Sequence, residues 1–242
     1  MKIPSKIWIT CIFLGFISTS EVAAQTTDLV KSAALQTPEP FTLDQKQDIL
    51  LLSSGIILST AGWFLNQSAD PLTPVQIEHL DQNNVNPFDR PAIRPFRTSF
   101  NGDYLIVVSA LFPLVLLQTD HALQDWKTIA MMGSEVVLMQ LGLNQMAKYF
   151  APRIRPFVYD PDSPMSEKTE NRARQSFYSG HTSTSAALTF FVATVYDRYT
   201  TNATMRSLVW AGAVIIPAIT GYLRIDSGNH FYSDVLIGYA TG

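Results

Sequence analysis

The chain has 242 residues, with 17 Lys and Arg against 20 Asp and Glu, a net charge of −3 when the histidines are neutral. That balance offers no basic surplus for a nucleic-acid backbone, and the length allows one large domain. Only 15% of the residues are charged, against roughly 25% in soluble proteins, which points towards lipid.

Lys2 and Lys6 precede an apolar run at 7–17, and Val22-Ala23-Ala24 supplies small residues before Gln25. Together they predict a secretory signal peptide over 1–24, cleaved after Ala24; the other reading is an N-terminal anchor, although 7–17 is short for a full span. Cleavage would remove two cations and one anion, moving the net charge from −3 to −4. It would also remove Cys11, the one cysteine, so the mature chain would have no disulfide and no cysteine-based metal site.

Residues 25–47 form a polar leader, and the helical domain is expected over 48–242. The uncharged run 49–65 is at the lower length limit for a membrane-spanning helix. Pro71, Pro74, Pro87, Pro91 and Pro95 forbid a long helix in the connector 66–103. Its stretch 86–95 could pack over an active face, but reads more simply as a surface loop. The most hydrophobic run follows at 104–118, broken by Pro113, and is expected to be a membrane helix. After a polar turn at 120–127, the helix 128–148 carries Glu135, Gln140, Asn144 and Gln145, which should face a bundle interior. Glu135 reads there as a structural hydrogen-bond partner rather than a functional acid.

Lys148 lies at the end of that helix, where a cation is favoured, and Pro152 and Pro156 stop further helix. Residues 158–177 read as an exposed loop able to cover a pocket. Ser179-Gly180-His181 precedes Thr182-Ser183-Thr184-Ser185, a set of cap residues opening the next helix. A helix start presents free N–H groups to an anion, and Gly180 lets the backbone approach closely. The apolar segments 186–196 and 207–222 read as an antiparallel pair, the second delivering Arg224. Ser227-Gly228-Asn229 turns the chain and a last helix starts near Phe231; at about half a bilayer span, it is expected to be cut short at 242. His230 and Asp234 are four residues apart, so Asp234 is expected to accept a hydrogen bond from His230 and hold its tautomer.

Three cations, two histidines and a carboxylate suit phosphoryl transfer. Lys148, Arg155 and Arg224 could share the charge of the equatorial oxygens, one imidazole attacking while the other protonates the leaving oxygen. These stretches resemble the type 2 phosphatidic acid phosphatases and their relatives, the vanadium haloperoxidases and bacterial non-specific acid phosphatases. Lys148, Arg155 and Pro156 match K-x6-R-P; Ser179, Gly180 and His181 match P-S-G-H; Arg224, His230 and Asp234 match S-R-x5-H-x3-D. Tyr178 and Leu223 depart from that pattern, standing where the family usually has Pro and Ser.

The resemblance implies catalytic roles for His230, His181 and Asp234, and phosphate binding by Lys148, Arg155, Ser179, Gly180 and Arg224. The expected fold is all-α, a membrane-associated bundle of about six helices with the motif loops at one end. The expected activity is hydrolysis of a lipid phosphate or diphosphate through a phosphohistidine, without metal or cofactor, since no cluster has metal-ligand spacing. A soluble periplasmic acid phosphatase, a vanadate-dependent haloperoxidase and an inactive lipid-binding scaffold are the other readings. The family usually works at the outer face, so an integral membrane location with an exterior site is expected, with lipid and its phosphate as partners and no nucleic acid.

Overall fold

A computed structural model of the chain describes residues 41–97 and 100–242, so the expectations for 1–24 and most of 25–47 lie outside the described residues. The described residues are helical without strands, as the apolar runs separated by proline-rich loops predict. Six longer helical segments carry the architecture. They are α1 (Gln45–Gln67), α3 (Phe100–Leu111) with its 3-10 continuation Phe112–Gln118, α5 (Trp126–Phe150), α7 (Gly180–Tyr199), α8 (Ala203–Asp226) and α9 (Tyr232–Thr241). Short helices α2 (Pro74–Glu78), α4 (Asp120–Gln124) and α6 (Met165–Lys168) lie in the connections.

The first helix begins slightly before the expected 48, because Asp44 caps it by accepting from the N–H groups of Lys46 and Gln47, both at 3.0 Å. It runs beside α5 in the same direction. The Ser59 hydroxyl donates to the Leu138 carbonyl at 3.1 Å, and about two turns later Asn66 Nδ2 donates to the Gln145 carbonyl at 2.8 Å. Gly55 and Gly62 permit this approach: a Cβ there would lie 2.8 Å from Leu138 Cβ and 2.6 Å from Gln145 Cβ. Such small-residue contacts bring two helix backbones together without a large apolar seam.

The second half is organised on α7. Its Val192, Ala193, Val195 and Tyr196 are buried against Val209 and Ala213 of α8 and against Leu116 and Ile129. The expected antiparallel pairing of α7 with α8 is present, since Thr189 meets Ala213 and Ser185 meets Thr220. Pro217 inside α8 cannot donate to the carbonyl four residues earlier, that of Ala213. The Thr189 hydroxyl donates to that carbonyl instead, at 3.0 Å, so the proline costs no orphaned acceptor. Glu135, Gln140 and Asn144 are buried along α5, as their polarity inside an apolar helix predicts. The Glu135 side chain meets that of Asp48, and Gln140 bonds Ser183 and Thr184.

Two loops are anchored more firmly than their sequences predict. Residues 158–177 are exposed along one side, at Asp162, Met165 and Glu170 for example, but anchored beneath: Val158 and Ala173 join Phe157, Leu72 and Ile77 in a small core of their own. The stretch 86–95 lies at the surface, with Asn86, Pro87, Phe88 and Pro91 exposed, but two of its side chains turn inward. Asp89 is 2% exposed and bonds Ser233, and Val85 and Ala92 pack against Ile225, Phe231 and Val235. In both cases apolar residues spaced among prolines and charges bury themselves locally, without helical periodicity to announce it. Gly228 (φ 70°) closes the turn after α8, and its carbonyl accepts from the Phe157 N–H at 2.9 Å, tying the loops together at one end of the bundle.

Candidate active site

Chain direction gathers the three motifs at that end. α5 arrives there with Lys148, α7 leaves with Gly180 and His181, α8 returns with Arg224, and α9 leaves with Asp234. Arg155 sits in the loop after α5 and is buried. Its Nε donates to the Arg172 carbonyl at 2.8 Å and its Nη1 to Asn229 Oδ1 at 2.7 Å. These acceptors are neutral, so the guanidinium is aimed without losing its charge to a carboxylate. Burial, then Arg224 and Arg172, hold Arg155 down to about 9. Arg224 is also buried, and among the described residues its Nε has no hydrogen-bond partner. A buried guanidinium N–H left unpaired is a donor awaiting an anion.

Gly180 lies against this group: a Cβ would stand 2.8 Å from Asn144 Oδ1 and 3.5 Å from Lys148 Nζ. Gly180 and His181 open α7, where backbone N–H groups lack partners within their own helix. Ser179 is the N-cap. Its Oγ accepts from the Thr182 N–H at 3.4 Å and shares a hydrogen bond with Thr182 Oγ1 at 2.9 Å, so its hydroxyl serves the helix start. Tyr178, at the family's proline position, is buried, and its carbonyl accepts from Asn144 Nδ2 at 2.9 Å.

The two histidines are held differently. His181 Nε2 lies 2.9 Å from Asp103 Oδ1, a residue of α3 that also faces Arg224 Nη1 at 3.8 Å. Burial and then Arg224 pull His181 down to about 4, with Asp103 opposing them. His230 is 1% exposed, and its Nδ1 lies 2.8 Å from the Ser176 carbonyl. A carbonyl only accepts, so Nδ1 carries the proton and Nε2 keeps its lone pair. Burial, then Arg155, Arg224 and Lys148, push His230 well below its ordinary value.

The expected hydrogen bond between His230 and Asp234 is not formed, since Nδ1 stands 3.9 Å from Asp234 Oδ2. Asp234 is otherwise engaged: Oδ1 accepts from Arg153 Nη1 at 2.6 Å, and Oδ2 from Ser176 Oγ at 2.6 Å and the Phe231 N–H at 3.0 Å. Its influence on the ring therefore passes through Ser176 and through space. Arg153, Ser176, Asp103 and Asn229 are the site neighbours that motif spacing did not single out. Only Arg153 carried a signal, being a cation inside the first motif.

The model of the PAP2 superfamily matches residues 126–242. The segment that carries the site belongs to that superfamily. No curated protein and no solved structure matches the chain. For that segment the superfamily suggests a phosphatase- or haloperoxidase-type activity on a phosphate-containing substrate, in keeping with an anion pocket of three basic side chains.

Proposed function

We propose that the chain is a metal-independent phosphatase of a lipid phosphate or diphosphate, working through a phosphohistidine on His230. The observation that carries this reading is a buried, neutral imidazole with a free Nε2 lone pair, set among Lys148, Arg155 and Arg224. The Nε2 lone pair attacks phosphorus, the bond to the leaving oxygen breaks, and that oxygen takes its proton from His181. Water then attacks the phosphohistidine with His181 accepting its proton, and phosphate and free His230 are released. Arg155, Arg224, Lys148 and the start of α7 stabilise the oxygens in the transition state. His181 is neutral in the free site, so the arriving anion must raise its proton affinity before it can act as an acid.

A lipid substrate is supported by the outer face of the bundle. α1 and α8 are long and apolar enough to cross a membrane, and Ile49, Ile57, Phe64, Leu208, Ile215 and Tyr222 on them are exposed. Phosphate release from detergent-dispersed lipid phosphates, persisting in chelator and stopped by vanadate, is the expected result. Turnover lost in chelator and restored by magnesium or zinc contradicts the mechanism, and turnover of water-soluble esters alone favours the acid-phosphatase reading.

We place the catalytic loops outside the membrane. Because α1 runs parallel to α5, crossing by both puts Asp44 on the face opposite the site, so an exterior site and a cleaved leader ahead of α1 exclude one another. With Cys11 replaced by Ser, an impermeant thiol reagent on intact cells should label Asp162→Cys and spare Thr201→Cys. The reverse pattern puts the site inside.

A further inference from the structure

Arg153 lies outside the phosphate-binding set, yet it joins three loops of the site. Its Nη1 donates to Asp234 Oδ1 at 2.6 Å and to Ser233 Oγ at 2.8 Å, and its Nη2 donates to Asp89 Oδ2 at 2.8 Å. Asp89 comes from the proline-rich connector and also accepts from the Ser233 N–H at 2.9 Å and the Ser233 hydroxyl at 2.6 Å. The guanidinium lies 4.2 Å from the Phe231 ring centroid, and Asp89 and Asp234 are 2% and 0% exposed. Ser176 continues the chain of contacts: its hydroxyl donates to Asp234 and its carbonyl receives the His230 Nδ1 proton.

We propose that Asp89 and Arg153 are positioning residues for attack by His230. Two buried carboxylates share one guanidinium, so the trio keeps one negative charge beside the imidazole. With Asp234 and Arg153 alone, the charges would cancel, and nothing would offset the cation that develops on the ring as Nε2 bonds phosphorus. The ring is otherwise faced by Lys148 of α5, Arg155 of the loop after it, His181 of α7 and Arg224 of α8, all basic. Asp89 therefore supplies the charge that makes Asp234 effective, from a segment 141 to 145 residues away in sequence from the pair it serves.

This inference rests on the phosphohistidine reading, and its test separates the two. In the full-length, detergent-solubilised protein, Asp89→Asn should slow phosphoenzyme formation from an activated aryl phosphate by about 10–30-fold, the order expected for losing one unit charge at second-neighbour distance in a protein interior. KM should stay within about threefold. Asp89→Glu should recover most of the rate. Asp89→Asn combined with Arg153→Gln restores the net charge and should be faster than Asp89→Asn alone. A double variant as slow as or slower than the single one overturns the relay, because packing losses add where charge losses compensate. Ring-nitrogen NMR gives a readout without turnover: the protonation midpoint of His230 should fall in Asp89→Asn and return in the double variant. An unmoved midpoint also overturns the relay, whereas a wild-type protein that forms no phosphoenzyme overturns only the phosphohistidine reading.

Discussion

The corner around His230 and the corner around His181 carry the same side chain a short distance apart, and the fold treats them in opposite ways. His230 is enclosed, its proton fixed on Nδ1 by a backbone carbonyl, and behind it stand Ser176, Asp234, Arg153 and Asp89 with every carboxylate oxygen engaged. The His181 side chain is 35% exposed, and its partner Asp103 is more exposed still. A nucleophile gains from being held in one tautomer and one direction, because each degree of misalignment raises the barrier. An acid and base must change its protonation state within each turnover, which a fully enclosed ring would resist. On the proposed mechanism, the difference in enclosure matches a difference in task.

Removing His181 gives the largest separation between the two corners. His181→Ala should lose roughly 10²–10⁴-fold on a lipid or alkyl phosphate, whose leaving oxygen needs a proton. It should still form the phosphoenzyme at close to the normal rate from an activated aryl phosphate, whose leaving group departs as the anion, and then be slow to hydrolyse it. Single-turnover rates of phosphoenzyme formation from both substrates check this, and an equal loss on both would mean that His181 positions the phosphoryl group and does not serve as the acid.

A smaller effect sharpens the same contrast without mutation. Burial and Arg224 hold His181 near 4 in the free site, and an anion among these cations raises that value. From about pH 4 upwards the bound form then holds more protons than the free form, so anion affinity should fall as pH rises above that value, by up to about tenfold per unit for the proton taken up. Sulfate, a dianion throughout this range, is the probe, and calorimetry in buffers of different ionisation enthalpy counts the protons. A pH-independent affinity with no proton uptake would show that the site's basic groups keep their protonation when the anion enters.

The sequence carried the pocket further than its walls. Lys148, Arg155, Gly180, His181, Arg224, His230 and Asp234 were legible because each lies at a fixed spacing from a helix end or a turn, and those spacings survive folding unchanged. Asp89 was not. It reaches Arg153 and Ser233 from 64 and 144 residues away, and nothing in a proline-rich stretch marks one aspartate as the buried one. The expected His230–Asp234 bond failed for a related reason: a four-residue spacing predicts a bond within a helix turn, but His230 precedes α9 and Arg153, Ser176 and Phe231 take up the carboxylate. Helix positions followed hydrophobic runs closely, and Pro113 marks where α3 tightens into a 3-10 segment.

The central claim is that His230 becomes phosphorylated. Acid lability and alkali stability distinguish a phosphohistidine from a phosphoester, so wild-type protein, His230→Ala and His181→Ala should be incubated with a radioactive aryl phosphate, quenched in alkali and counted. The account predicts label on wild type and on His181→Ala, lost on brief acid treatment, and none on His230→Ala. Label retained by His230→Ala, or label on wild type that survives acid, would contradict it.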